Sequence, residues 1–577
     1  MKRRYLKLTA LGVAASLGLC ACGGTDSGDA AQNEAVDGIV RPTDEQGGTL
    51  TFAHSNEFDS MDPGNTYYAA NWNFSRFYAR RLVTYAQQPG EAGQELVPDL
   101  ATDLGEVSDD GLTWTYTLKE GVKYQDGSPI VAEHIKYAIA RSNFATDVIN
   151  KGPTYFADLL DEDDYAGPYQ DSDLDNFEAI ETPDERTIVF HLKEPFGEFD
   201  YLATMPQTAP VPPDADTGTQ YQTEVVSSGP YQFDGQWQPG STLTLVRNEH
   251  YDPETDPLVR NLPDEIQLSF KQNADDIDNR LLSGDLLVGA AGVGVQTAAR
   301  GRILRDDNLK ARSDNPKTAF LFYFAINPNV APFDNKACRE AVLYGADKTQ
   351  LQTAFGGPTA GDIATSLLPP VVPGYEEIDP YGTPNHEGDP DKTRAKLAEC
   401  GHEDGFAANI AYRSDRPAGQ KAAEALQASL SEYGITTDLK GYPSGTYTNE
   451  QAGSPEFVRQ EELGIMIYGW GPDWNSGYGF LSQIVDGDAI KPAGNSNISE
   501  LDNPEINKLL DEAAQSQDKQ RREEIYARID ELAMDSATFL PFANRKVLLY
   551  RPEELTNVFV NPNYHMYDYV SLGVAQN

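Results

Sequence analysis

Leu96-Val97-Pro98-Asp99-Leu100-Ala101-Thr102-Asp103-Leu104, then Ser108-Asp109-Asp110-Gly111-Leu112-Thr113-Trp114-Thr115-Tyr116-Thr117-Leu118-Lys119, then Gly121-Val122-Lys123-Tyr124-Gln125-Asp126-Gly127-Ser128-Pro129 is the stretch on which the reading of this chain depends. Its middle part alternates. Trp114, Tyr116 and Leu118 share one face, the pattern of a half-buried strand. Asp126-Gly127 supplies a turn. Ser128 and Pro129 read as the N-cap and first position of a helix, with Val131, Ile135, Ala138 and Ile139 on one face. Outward from this unit, strands are predicted at 48–53, 188–192, 243–246, 319–326 and 463–468. Helices are predicted at 334–345, at 418–433 with Gly434 as a natural stop, from Asn503-Pro504 with Ile506, Leu509 and Leu510 inward, and at 520–534. Turn-rich stretches at 208–218, 367–374 and 379–391 read as surface connections. The mixture predicts an α/β class, without heptads or a solenoid period.

The first residues read as an export signal. Lys2, Arg3, Arg4 and Lys7 precede an apolar run at 8–19, which is shorter than the ~20 residues of a permanent span. Leu19-Cys20-Ala21-Cys22-Gly23-Gly24 resembles a bacterial lipobox, with Cys22 as the lipidated residue. The other reading is an ordinary secretory signal with two incidental cysteines. Arg3-Arg4 also hints at twin-arginine export. A signal peptide over 1–21 and a flexible tether over 22–46 follow, because the latter holds almost no large apolar residue. The roughly 530 residues that remain exceed one ordinary core. Hydrophobic residues make up 39% of the chain, and no later segment reads as transmembrane. The formal charge of −45, from 90 acidic and 45 basic residues, argues against nucleic-acid binding and reads as a solubilising surface. After processing two cysteines remain, Cys338 and Cys400. An exported, oxidising location favours a disulfide between them; two buried thiols are the alternative.

Enzyme signatures are missing. The chain holds no G-x-S-x-G elbow and no phosphate loop. Its seven histidines form no H-x-x-x-H pair, so neither a metal site nor a cofactor is predicted. Paired carboxylates are too abundant to be informative.

The opening stretch resembles the signature of the oligopeptide/dipeptide class of extracellular solute-binding proteins, family 5, the partners of ABC importers. Ser60-Met61-Asp62-Pro63, Ser228-Gly229-Pro230-Tyr231, Arg247-Asn248-Glu249-His250-Tyr251, Pro332-Phe333-Asp334 before Cys338-Arg339-Glu340-Ala341-Val342, and Gly469-Trp470-Gly471-Pro472-Asp473-Trp474 extend the resemblance from about residue 48 onward. The cysteine pair and the Tyr468-Gly469-Trp470-Gly471 context look most like actinobacterial peptide-binding members. The resemblance implies a two-lobed periplasmic-binding-protein-like fold, with an extra domain inserted in the first lobe and a hinged cleft. The first lobe is expected at 47–85, 201–314 and 541–577, the inserted domain at 86–200 and the second lobe at 315–540.

By the same resemblance, Asp473 is the residue that pairs with a ligand's ammonium, while Trp114 and Asp126-Gly127 are scaffold. On the residues alone, the favoured reading of Asp473 is a turn Asp beside two core tryptophans, and the motif match reverses it. Backbone groups of Gly469 and Gly471 are expected to pair with a peptide main chain, and Trp470 and Trp474 to wall a side-chain pocket. Asn56, Phe58 and Tyr323 are further cleft candidates. Some relatives carry an Arg shortly before this motif; here 464–468 holds no cation. The expected role is a lipid-anchored monomer on the outer face of the cell membrane, capturing short peptides for an ABC permease and ATPase complex. A non-peptide solute (oligosaccharide, nickel chelate or opine) and a peptide-sensing surface receptor are the alternatives.

Overall fold

A computed structural model describes residues 32–162 and 164–576; the signal segment and Cys22 lie outside them. Three sheets organise the chain. The first orders its strands Val288–Gly289, Thr49–Ala53, Glu265–Ser269, Leu243–Arg247 and Tyr231–Phe233. Thr49–Ala53 runs parallel to both of its neighbours. The core beneath this sheet gathers Phe52, Phe74, Leu245 and Ile266 together with Val558 and Tyr569 from the C-terminal end.

The second sheet is antiparallel, in the order Glu106–Val107, Thr113–Thr117, Thr187–His191, Ile180–Glu181. The alternation read from the sequence holds here: Trp114 and Tyr116 are buried between half-exposed threonines. The helix covering this sheet is Ala132–Asn143, so it starts later than Ser128-Pro129 suggested. Asp126 captures both the Ser128 N–H (2.8 Å) and the Ser128 hydroxyl (2.6 Å). Ser128 therefore closes a turn instead of capping the helix.

The third sheet has six strands, ordered Gly361–Asp362, Phe539–Lys546, Lys317–Ile326, Ile465–Trp470, Ala407–Arg413 and Thr436–Tyr442. Phe539–Lys546 pairs with Lys317–Ile326 from Phe539 to Lys546, so this body runs past the expected boundary at 540. Cys338 and Cys400 are bonded across the helices Lys336–Gly345 and Pro390–Glu399, with Cα atoms 5.4 Å apart. The stretches 208–211 and 367–368, read as surface, are buried. Asp530 makes burial of the latter affordable by accepting from the N–H groups of Leu367 (2.9 Å) and Leu368 (3.1 Å).

First and third bodies are joined by two strands side by side. Ser313–Asp314 pairs antiparallel with Leu549–Tyr550 directly beyond the third sheet. Buried Asp314 pairs with Arg551 at 2.6 Å and accepts from Tyr567 at 2.8 Å. The Ala35 N–H also donates to Asp314, at 3.0 Å. This last contact corrects the tether. Glu34–Asp37 is a short helix with Ala35 buried, and Val40 bridges Val558. Two small apolar side chains, Ala35 and Val40, together with the Asp314 acceptor and the Glu34–Arg551 pair at 3.2 Å, dock a segment whose composition reads as disordered.

Candidate ligand-binding cleft

Between the first and third bodies lies a cavity of about 840 Å³, within the range of small-ligand sites. The strand Ile465–Trp470 delivers one wall. Its glycines are required by packing. A Cβ on Gly469 would sit 2.6 Å from the Phe322 ring, and one on Gly471 would sit 2.7 Å from the Phe320 ring. Pairing of this strand with Ala407–Arg413 stops at Ala411↔Met466, so its last residues run on beyond that neighbour toward the cavity.

Asp473 follows at once and lines the cavity. Its carboxylate accepts from the Tyr67 hydroxyl at 2.7 Å and from the Tyr155 hydroxyl. Those two tyrosines come from the first body and from the inserted one, so three bodies meet on one carboxylate. Burial pushes the Asp473 pKa up, and the two hydroxyls offset this only in part. Among the described residues no cation pairs with it. A desolvated carboxylate held by neutral donors is a place for an ammonium.

The other predicted residues divide. Trp470, Gly469, Gly471, Asn56 and Phe58 line the same cavity, with Phe58 buried. Trp474 also touches it, yet its indole N–H donates to Glu198 at 2.7 Å and its ring packs edge-on against Tyr155. It clasps the inserted domain more than it offers a free wall. Tyr323 is absent from the cavity lining and fully buried in the third core, its hydroxyl without a partner. Side chains alternate along a strand: Phe320 and Phe322 take the cavity-side face of Lys317–Ile326, and Tyr323 takes the other.

Sequence reasoning missed Tyr67, Tyr155, Arg416, Arg545 and His565. No local motif marks them, because Tyr67, Arg416, Arg545 and His565 reach the cavity, and Tyr155 reaches Asp473, from separate parts of the chain. His565 accepts from the Ala319 N–H through Nε2 at 3.1 Å. Burial, together with the nearby Arg545 charge, pushes its pKa down to about 4. The cation missing from 464–468 has counterparts in space, since Arg416 and Arg545 both border the cavity.

Comparison with known proteins agrees with this architecture. The family model described as bacterial extracellular solute-binding proteins, family 5 Middle, matches residues 95–492. The glutathione-binding protein GsiB of Salmonella typhi is 23% identical over 519 residues, covering 89% of this chain and 92% of the relative. The probable D,D-dipeptide-binding periplasmic protein DdpA of Escherichia coli (strain K12) is 26% identical over 515 residues, covering 87% and 90%. Among solved structures, clavulanic acid biosynthesis oligopeptide binding protein 2 superposes with a TM-score of 0.91 at 41% identity, covering 95% of this chain and 99% of that one. These relatives are binding proteins, not enzymes. The matched model, spanning most of the chain, and the near-complete superposition place this chain in the family 5 bacterial extracellular solute-binding proteins.

Proposed function

We infer that the protein captures short peptides in the cleft at Asp473 and passes them to an ABC permease, held at the outer face of the cell membrane by lipid on Cys22. The observation that carries the peptide reading is the Asp473 carboxylate, half-buried, lining the cavity and, among the described residues, bound only by two tyrosine hydroxyls. A peptide's α-ammonium supplies the missing charge and further donors. The end of the strand Ile465–Trp470, past its last pair with Ala407–Arg413, suits a peptide main chain lying alongside. The names of the relatives, for glutathione, D,D-dipeptides and oligopeptides, support the same ligand class. Closure by bending at the paired strands Ser313–Asp314 and Leu549–Tyr550 would exclude water and strengthen the ion pair.

Native mass spectrometry of the protein without its signal, as purified and after unfolding, tests this. A mixture of short peptides in the released fraction is expected. A single sugar, metal chelate or other amine-free species would retain a solute-binding role and discard the ammonium at Asp473.

A further inference from the structure

The third body is one contiguous stretch, its sheet strands all falling between Lys317 and Lys546. The chain enters and leaves it through the paired strands Ser313–Asp314 and Leu549–Tyr550, so the inserted domain meets it only through space. The inserted domain is tied instead to the first body. Arg141, on the helix Ala132–Asn143, is buried and pairs with Asp62 at 2.9 Å and with Asp216 at 3.0 Å. Parting that network strands a buried cation, which makes inserted domain and first body one unit. Against this unit the third body presents the loop that follows Trp470. Asp473 reaches Tyr155 of the inserted domain, and the next residues reach Glu198. The buried Glu198 carboxylate accepts from the Trp474 indole at 2.7 Å, from the Ser476 hydroxyl at 2.6 Å and from the Tyr526 hydroxyl at 2.8 Å. Arg522 Nε lies 3.5 Å from it. Beside it, Phe196 packs edge-on against Trp474 and Tyr478, and Gln94 donates to the Val371 carbonyl at 3.1 Å. Glu198, Ser476, Tyr526 and Arg522 all lie outside the cavity lining, so these bonds need no ligand. A swing of the third body that withdraws Asp473 from Tyr155 also withdraws Trp474 and Ser476 from Glu198, because one loop carries all three. Hydrogen bonds to a carboxylate are among the strong ones, and leaving their donors unpaired is costly.

We propose that Glu198 is a positioning residue for ligand capture: through Trp474, Ser476 and Tyr526 it latches the third body to the inserted domain and holds the cleft shut before a ligand arrives. The latch acts alike on an empty and a filled cleft. It therefore sets the fraction of open molecules, and with it the rates of entry and release, more than it sets which solute is bound. This role rests on the hinged closure of the proposed function and not on the identity of the ligand.

The test is small-angle X-ray scattering of the full signal-free chain, freed of ligand by unfolding in urea and refolding, with Glu198→Ala and Glu198→Gln beside the wild type. Loss of three hydrogen bonds to one carboxylate is expected to shift the open-to-closed ratio roughly 10- to 1,000-fold. Glu198→Ala then has a larger radius of gyration than the wild type, and Glu198→Gln, which keeps one acceptor oxygen, lies between them. Equal radii in all three overturn the latch, even where a lowered melting temperature marks Glu198 as a stabilising residue. Should Glu198→Ala fail to fold, Tyr526→Phe removes one donor while keeping the ring, and the same comparison decides. Stopped-flow tryptophan fluorescence with trialanine, read at Trp470 and Trp474 in the cavity lining, supplies the rates. Association with Glu198→Ala is expected to be roughly tenfold or more faster than with the wild type, and dissociation faster as well. A loop merely damaged by the substitution binds more slowly instead, and unchanged or slower association overturns the role in capture. If trialanine binds none of the proteins, the peptide reading falls and the radii still decide the latch.

Discussion

At the scale of single residues, the cleft is organised by charges left without protein partners. Burial raises the pKa of Asp473, and its two tyrosine hydrogen bonds oppose that shift. An ammonium ligand needs the carboxylate, so protons and ligand compete for it. With the pKa raised, affinity for a free-amine peptide is full near neutral pH, below the ~8 of an α-amino group, and is lost as pH falls through that raised value, above the ordinary Asp range near ~3.9. Asp473→Asn keeps the shape and removes the charge. It is expected to weaken such peptides by roughly 10- to 100-fold near neutral pH and to flatten the pH dependence. Titrations from pH 8 to pH 4.5 with both proteins check this; a parallel acid-side decline in the variant would place the titrating group elsewhere. The aspartate could be picked out in sequence because a motif surrounds it. Tyr67, Tyr155 and Arg545 could not, since residues far apart in the chain supply them.

At the scale of elements, a clasp holds the inserted domain to the third body. Glu198, which is 2% exposed, accepts from Trp474 Nε1 at 2.7 Å, from Ser476 at 2.6 Å and from Tyr526 at 2.8 Å. Arg522 lies 3.5 Å away. Next to it, Gly197 donates to the Ala514 carbonyl at 2.7 Å, and a Cβ there would strike the Ser516 carbonyl. Trp474 and Ser476 directly follow Asp473, so the clasp positions the loop that carries the cleft carboxylate. Glu198→Ala strands three buried donors and a cation, and is expected to destabilise the protein by about 3–5 kcal/mol. Urea unfolding measures the loss; a change below ~1 kcal/mol would mean that the clasp contributes little. Strand and helix periodicities marked two strands in each of the three sheets and five helices in advance. Their ends moved where a local side chain competed for backbone groups, as Asp126 does for Ser128. The helix expected from Asp334 is capped by Asn335 instead, whose side chain accepts from the Ala337 N–H at 3.0 Å.

At the scale of the whole molecule, three cores are joined so that a cavity remains among them, and the paired strands Ser313–Asp314 and Leu549–Tyr550 run between the first and third. No helix among the described residues is long and apolar enough to cross a membrane, and retention at the cell surface is proposed to depend on Cys22. Cys22→Ala is expected to leave an unprocessed precursor that takes up no labelled fatty acid; normal labelling of that variant would move the anchor to another residue. The sequence by itself determined the family resemblance, the α/β alternation, the inserted sheet around Trp114 and Tyr116, and the loop bearing Asp473, because these rest on short-range periodicity and contiguous motifs. Only the tertiary structure decided that residues 33–40 dock, that Tyr323 faces a core, that Glu198 clasps the cleft loop, and that Arg416 and Arg545, from separate elements, border one cavity. Those outcomes depend on which face of each strand meets a neighbour and on contacts between residues hundreds of positions apart, and no local pattern encodes either.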